Sequence, residues 1–146
     1  MGIVFFRSSD RSLTLTGKTS LKVFIRSLFI KENFTLRSIT YVFCSDKFLL
    51  QINRVFLQHD YYTDIISFPL SKKGEPIEAE IYISVDRVKE NAQVHGKTYQ
   101  NEMYRVLFHG ALHLCGYTDK KKSDVELMRK KEDQYLHLFE KSSTNA

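Results

Sequence analysis

In the stretch HGALHLCGYTD two histidines, His109 and His113, stand four residues apart, and Asp119 follows six residues after the second. On a helix, residues at that spacing share a face, so the two imidazoles point the same way from adjacent turns. Both can reach one ion at a metal–nitrogen distance of about 2.0–2.1 Å. Gly116 can end the helix in the left-handed conformation and let the chain fold back. The Asp119 carboxylate then returns toward the same ion. Three protein ligands leave a fourth position open, the pattern of a catalytic metal. The expectation is therefore one Zn2+ per chain, held by His109, His113 and Asp119, with a metal-bound water as the reactive group. The sequence names no general base. The histidine pair alone would read better as polar trim on a helix surface; the glycine and the aspartate at these spacings shift the balance to a site.

The spacing is similar to that of metallopeptidases of the H-E-x-x-H-x-x-G-x-x-H/D kind, which use the Glu after the first His as general base. Here that position is Gly110. A metallopeptidase-like hydrolase is the second reading, and it must recruit its base elsewhere. Phosphodiester cleavage asks less of the chain, because the metal itself acidifies a water and polarises a phosphoryl oxygen. Lys120, Lys121 and Lys122 directly follow Asp119, and Lys72 with Lys73 form a second basic pair. Both clusters are candidates for phosphate contacts. Glu102 lies two turns before His109, about 10 Å by helix rise, too far for a ligand on the same helix. Support behind the ligands, a distal substrate contact and plain surface charge are all open, with surface charge favoured. Cys115 points off the ligand face and reads as core. His95 and His137 read as surface or capping residues, and Tyr117 as a base-stacking ring or a packing ring.

These residues need elements to hold them. Ile3 to Phe6 reads as an edge strand. Leu21, Phe24, Ile25, Leu28 and Phe29 recur at helical spacing between Thr19 and Glu32. Residues 36–43 alternate, with Ile39, Tyr41 and Phe43 on one face, as a half-buried strand does. Asp46 is placed to cap a helix carrying Leu49, Ile52, Val55 and Phe56. Residues 63–70 read as a strand closed by Pro69, and residues 80–85 as another. Ser84 starts a helix with Val85, Val88 and Ala92 inward. Residues 98–115 form a long helix, and Ser123 with Glu126 suggests a capping box for a last helix bearing Val125, Met128, Tyr135 and Phe139. With no strict βαβ order, the fold class is α+β: a single mixed sheet covered by helices, the metal site at the C-terminal end of a long central helix in a metzincin-like cradle.

HGALHLCGY resembles the signature HGxLHLxGYDH of the YbeY family of endoribonucleases. TDIISFP (63–69) is similar to that family's TDVLSFP, Ile52–Asn53 to its LN, EIYIS (80–84) to its GDIxIS, and Glu102 stands where the family usually has Glu. The resemblance covers about residues 40–120. It implies a zinc-dependent, single-strand-specific endoribonuclease in late ribosome maturation and quality control, including processing of the 3′ end of 16S rRNA. Its implied partners are single-stranded RNA, small-subunit rRNA and the ribosome. The chain departs from the pattern twice. Asp119 stands where the family has its third His ligand, and Leu57 stands where it has an Arg. Arg54 and His59 are the candidates to replace that arginine, alongside Lys120, Lys121 and Lys122 as RNA contacts. A non-catalytic ribosome-associated RNA-binding protein with a structural metal is the third reading, which a fourth protein ligand would favour.

Composition sets the outer bounds. The chain has 146 residues, 42% of them hydrophobic, with 11 Phe and 8 Tyr, enough for the core of a single domain spanning 1–146. The net charge of +5 leans mildly toward an anionic partner. Two cysteines, Cys44 and Cys115, suit reduced thiols rather than a disulfide framework. No window reaches 18 apolar residues and no signal peptide is evident, so a cytoplasmic location without membrane contact is expected.

Overall fold

A computed structural model of the chain describes residues 2–144. In chain order the elements are β1 (Ile3–Ser8), α1 (Lys18–Lys31), β2 (Leu36–Cys44), α2 (Asp46–Leu57), β3 (Ile65–Pro69), β4 (Ile77–Ser84), α3 (Val85–Val94), α4 (Tyr99–Leu114) and α5 (Lys122–Thr144). The four strands form one sheet in the order β1-β2-β4-β3. β1 and β4 run parallel to β2, and β3 runs antiparallel to β4 as the far edge. The expected α+β class with one mixed sheet under helices is what the chain adopts.

Period-two patterning explains the sheet. Ile39, Tyr41 and Phe43 of β2 and Ile81 and Ile83 of β4 are fully buried on one face. Leu21, Ile25, Leu28 and Phe29 of α1 cover them from one element, Leu107, Phe108 and Leu112 of α4 from another. Each such side chain contributes about 1.5–3 kcal/mol through burial. The buried Tyr41 hydroxyl donates to the Leu107 carbonyl (2.9 Å), which ties the sheet to α4 and leaves the phenol satisfied. Phe24, Phe108 and Phe139 pack ring on ring and join α1, α4 and α5.

Four local expectations are corrected. Ser45, not Asp46, caps α2, accepting from Phe48 N, because Asp46 already lies in the first turn, where its carboxylate takes Arg87. Val55 and Phe56 are about two-thirds exposed; α2 buries Leu49, Leu50, Ile52 and Asn53 instead. Ser123 sits inside α5, which begins at Lys122, so it cannot form the expected capping box. Val125 is exposed, while Met128, Tyr135 and Phe139 are buried as read. Cys44 and Cys115 are free and buried, and burial pushes both thiols up to about 12. No helix among the described residues is long and apolar enough to cross a membrane.

Candidate active site

Helix α4 begins at Thr98, whose side chain accepts from Asn101 N, and ends at Cys115, after which Gly116 adopts φ 99°. That positive φ is open to glycine and strained for other residues. The turn sends the chain back along α4 toward α5. His109 and His113 occupy the last turns of α4, and Asp119 lies on the returning loop. All three line one groove of about 570 Å3, bounded by α4, α5, β3 and the loop before β3.

Each imidazole is held by its Nδ1. His109 Nδ1–H donates to Glu132 Oε2 at 2.7 Å, and His113 Nδ1–H donates to the Tyr117 carbonyl at 3.1 Å. Both acceptors lack a proton to give, so each ring carries its hydrogen on Nδ1 when neutral and keeps the Nε2 lone pair free. This is how metal-ligating histidines are usually aimed. His109 Nε2 lies 3.6 Å from Asp119 Oδ2. The donor set, two free Nε2 atoms and a carboxylate, fits a divalent transition metal. The structure draws His109 and Asp119 together and puts His113 on the same wall. Among the described residues, though, no three His, Cys, Asp or Glu side chains converge closely enough to hold an ion as they stand. His113 and Asp119 are the exposed members, and theirs are the side chains with room to move.

Behind His109 runs a buried relay. Glu132 also accepts from Arg105 Nη1 at 2.8 Å, and Arg105 Nη2 donates to Asp133 at 2.6 Å. Burial works against the charge of His109, yet the Glu132 hydrogen bond and charge, with Asp119 and Asp64 nearby, move its pKa up on balance. Burial likewise opposes the Glu132 carboxylate, but His109 and Arg105 carry it below the usual range. The two directions have one cause: each partner favours the charged form of the other. Asp64, which also lines the groove, is raised by burial despite the pull of His109.

Other expectations find their places. Glu102 is buried at 6% exposure and lines the groove, so it is not plain surface charge; it faces His95 at 3.9 Å. Leu57 and His59 line the groove too. Arg54 is engaged by Asp60 and does not line it; nor do Lys120, Lys121 and Lys122, or Lys72 and Lys73, which are exposed. Tyr117 packs, giving its hydroxyl to Glu32 at 2.7 Å. His95 caps α3. Gly110 faces the sheet: a Cβ there would lie 2.9 Å from Ile81 Cδ1 and 3.0 Å from Ile65 Cδ1. A peptidase glutamate at this position would have to displace those two methyls, and Gly110 itself has no side chain to serve as base.

Sequence reasoning missed Asp64, Arg105, Arg129 and Glu132, all lining the groove. Glu132 left a signal. It interrupts the apolar stripe Met128, Tyr135, Phe139 at a core position of α5, where an acid must find a partner. Arg129 left none. It has no hydrogen bond or ion pair among the described residues, and only the fold shows that its side chain borders the site.

The chain is similar to known proteins over nearly its whole length. The profile of the family described as Endoribonuclease YbeY matches residues 7–140. Proteins named Endoribonuclease YbeY are 46% identical in Cytophaga hutchinsonii (92% of this chain, 94% of that one) and 37% identical in Parabacteroides distasonis (95% and 96%). The solution structure of TM1509 from Thermotoga maritima superposes with a TM-score of 0.69 at 23% identity, covering 98% of this chain and 93% of that one, and supports the fold. With its matched profile and its relatives spanning groove, relay and histidine helix alike, the chain belongs to the YbeY endoribonuclease family.

Proposed function

We propose that the chain is a metal-dependent endoribonuclease of single-stranded RNA, acting in late small-subunit rRNA maturation, including the 3′ end of 16S rRNA, and in ribosome quality control. The observation that carries it is the pair of histidines with Nδ1 tied and Nε2 free on the wall of an open groove, in a chain whose relatives bear the endoribonuclease name. His109, His113 and Asp119 are the ligands of zinc. When bound, zinc supplies a Lewis acid for a phosphoryl oxygen and acidifies a water for attack. Glu132 keeps His109 in the ligating tautomer. Arg129, a cation without an ion pair among the described residues, lines the same groove and gives a phosphate a place to bind.

The test pairs metal content with cleavage. Wild-type protein offered zinc should hold about one ion per chain and cut single-stranded RNA, with no turnover of peptides. His109→Ala, His113→Ala and Asp119→Ala should each lose most of the metal and the cleavage. Absence of zinc in the wild type, or cleavage that survives a chelator, would refute the metal-dependent reading; RNA binding without cleavage by the zinc-loaded protein would favour the non-catalytic one.

A further inference from the structure

The loop between α2 and β3 presents aromatic rings to water without a packing reason. Tyr61 is 55% exposed, and its ring stacks on the His59 imidazole with centroids 5.2 Å apart and planes 22° from parallel. Its hydroxyl meets His59 Nδ1 at 3.0 Å, which locks the pair together. Neither ring belongs to a core cluster among the described residues. Two rings held in one arrangement at the groove offer a flat aromatic face to whatever enters it.

The backbone beneath is built to hold this pair. Gln58 turns the chain out of α2 at φ 55°. Asn53, 1% exposed, then holds both halves of the platform: its backbone carbonyl accepts from His59 N at 3.1 Å, and its side-chain Nδ2 donates to the Tyr61 carbonyl at 2.9 Å. A buried residue that ties the loop at two points, once through its backbone and once through its side chain, restrains that loop's conformation. His59 and Tyr61 line the same groove as His109, His113 and Asp119, with Arg129 on its α5 side.

We infer that the His59–Tyr61 stack is a base-binding subsite: a nucleobase of the single-stranded substrate stacks on the exposed face of this pair while its backbone lies along the groove. The inference rests on the ribonuclease reading above and says which part of the strand the groove grips. Every nucleobase has a π-face, so the subsite is tolerant of sequence. A duplex hides its faces in its own stack, so the subsite selects single strands. Pre-stacking of the two rings means that little side-chain freedom is lost when a base arrives.

The chain contains no tryptophan, so Tyr61→Trp introduces a single indole as a reporter. Mixed in stopped flow with a single-stranded RNA oligomer, before cleavage, its emission should be quenched. A strand of the same length with abasic residues should bind more weakly and leave it unquenched. Tyr61→Ala should weaken binding of the RNA, and raise KM for its cleavage, about tenfold, a typical stacking effect. Its affinity for the abasic strand should stay within about twofold, and Tyr61→Phe should restore most of the loss. RNA affinity and KM unchanged in Tyr61→Ala, in protein whose wild type cleaves RNA, would overturn the subsite and spare the ribonuclease reading. Equal quenching by the abasic strand would do the same. A wild type that neither binds nor cleaves RNA would remove both.

Discussion

At the zinc site proposed above, Glu132 would act on metal binding by His109 in two opposite directions. It holds the ring in the ligating tautomer, and its charge favours the proton that must leave before Nε2 can bind a metal. His109 sits above its ordinary pKa in the metal-free protein, so zinc uptake should release protons and strengthen as pH rises through that raised value. Glu132→Gln keeps an acceptor for Nδ1 but removes the charge. Its zinc affinity at high pH should fall, by up to the ten- to hundredfold typical of a lost outer partner. The midpoint of uptake should move to lower pH, since His109 then gives up its proton more readily. Zinc titrations of both proteins across pH would read the two effects separately; unchanged affinity and midpoint would show that Glu132 merely packs.

Helix α4 serves two surfaces at once. Its histidine side faces the groove, and its Gly110 side lies against β3 and β4 closely enough to leave no room for a Cβ without shifting the Ile65 and Ile81 methyls. Those methyls are the ends of side chains that can give slightly, and Ala gains about 1 kcal/mol over Gly inside a helix. Gly110→Ala should therefore change stability by no more than about 1 kcal/mol in either direction. Gly110→Glu must bury a carboxylate against two isoleucines and should cost more than about 3 kcal/mol, without creating peptidase activity. Urea unfolding of the two variants measures the contrast. Near-equal stabilities would mean that α4 rides higher on the sheet than its packing shows.

Across the whole molecule, Glu32 is where three distant segments meet. Lying just after α1, it accepts from the Tyr117 hydroxyl on the turn after α4, and from Tyr135 and Lys131 of α5 (3.3 Å for the lysine). Burial alone would raise its pKa, but the Tyr135 and Tyr117 hydrogen bonds and the Lys131 charge bring it below the ordinary value of 4.5. A carboxylate depressed in the folded state contributes stability that is present above the unfolded pKa and lost as pH falls through the folded one. Glu32→Gln should thus lower stability by about 1–3 kcal/mol at pH 7. The gap to wild type should close as pH drops below about 4.5, where the wild type loses the same contribution. Unfolding curves at pH 7 and in acid decide it; a gap independent of pH would assign the effect to packing.

The sequence by itself determined whatever depends on near neighbours in the chain. The spacing of His109, His113 and Gly116 dictated one helix face and a turn, and strict alternation in residues 36–43 put Ile39, Tyr41 and Phe43 on the buried side. Those rules are local because backbone geometry repeats every few residues. Tertiary structure alone decided which side chains meet across long separations. Glu132 reaches His109 from 23 positions away, and Glu32 meets Tyr135 across 103. It also set the exposure of Val55 and Phe56, which the helical period placed on a buried stripe; only the position of the neighbouring elements settles which part of α2 is covered. The lysines after Asp119 are adjacent to the site in sequence and absent from its wall, whereas Arg129 is distant in sequence and present on it. Pattern tells which face of an element is apolar; packing tells what that face, and the opposite one, will touch.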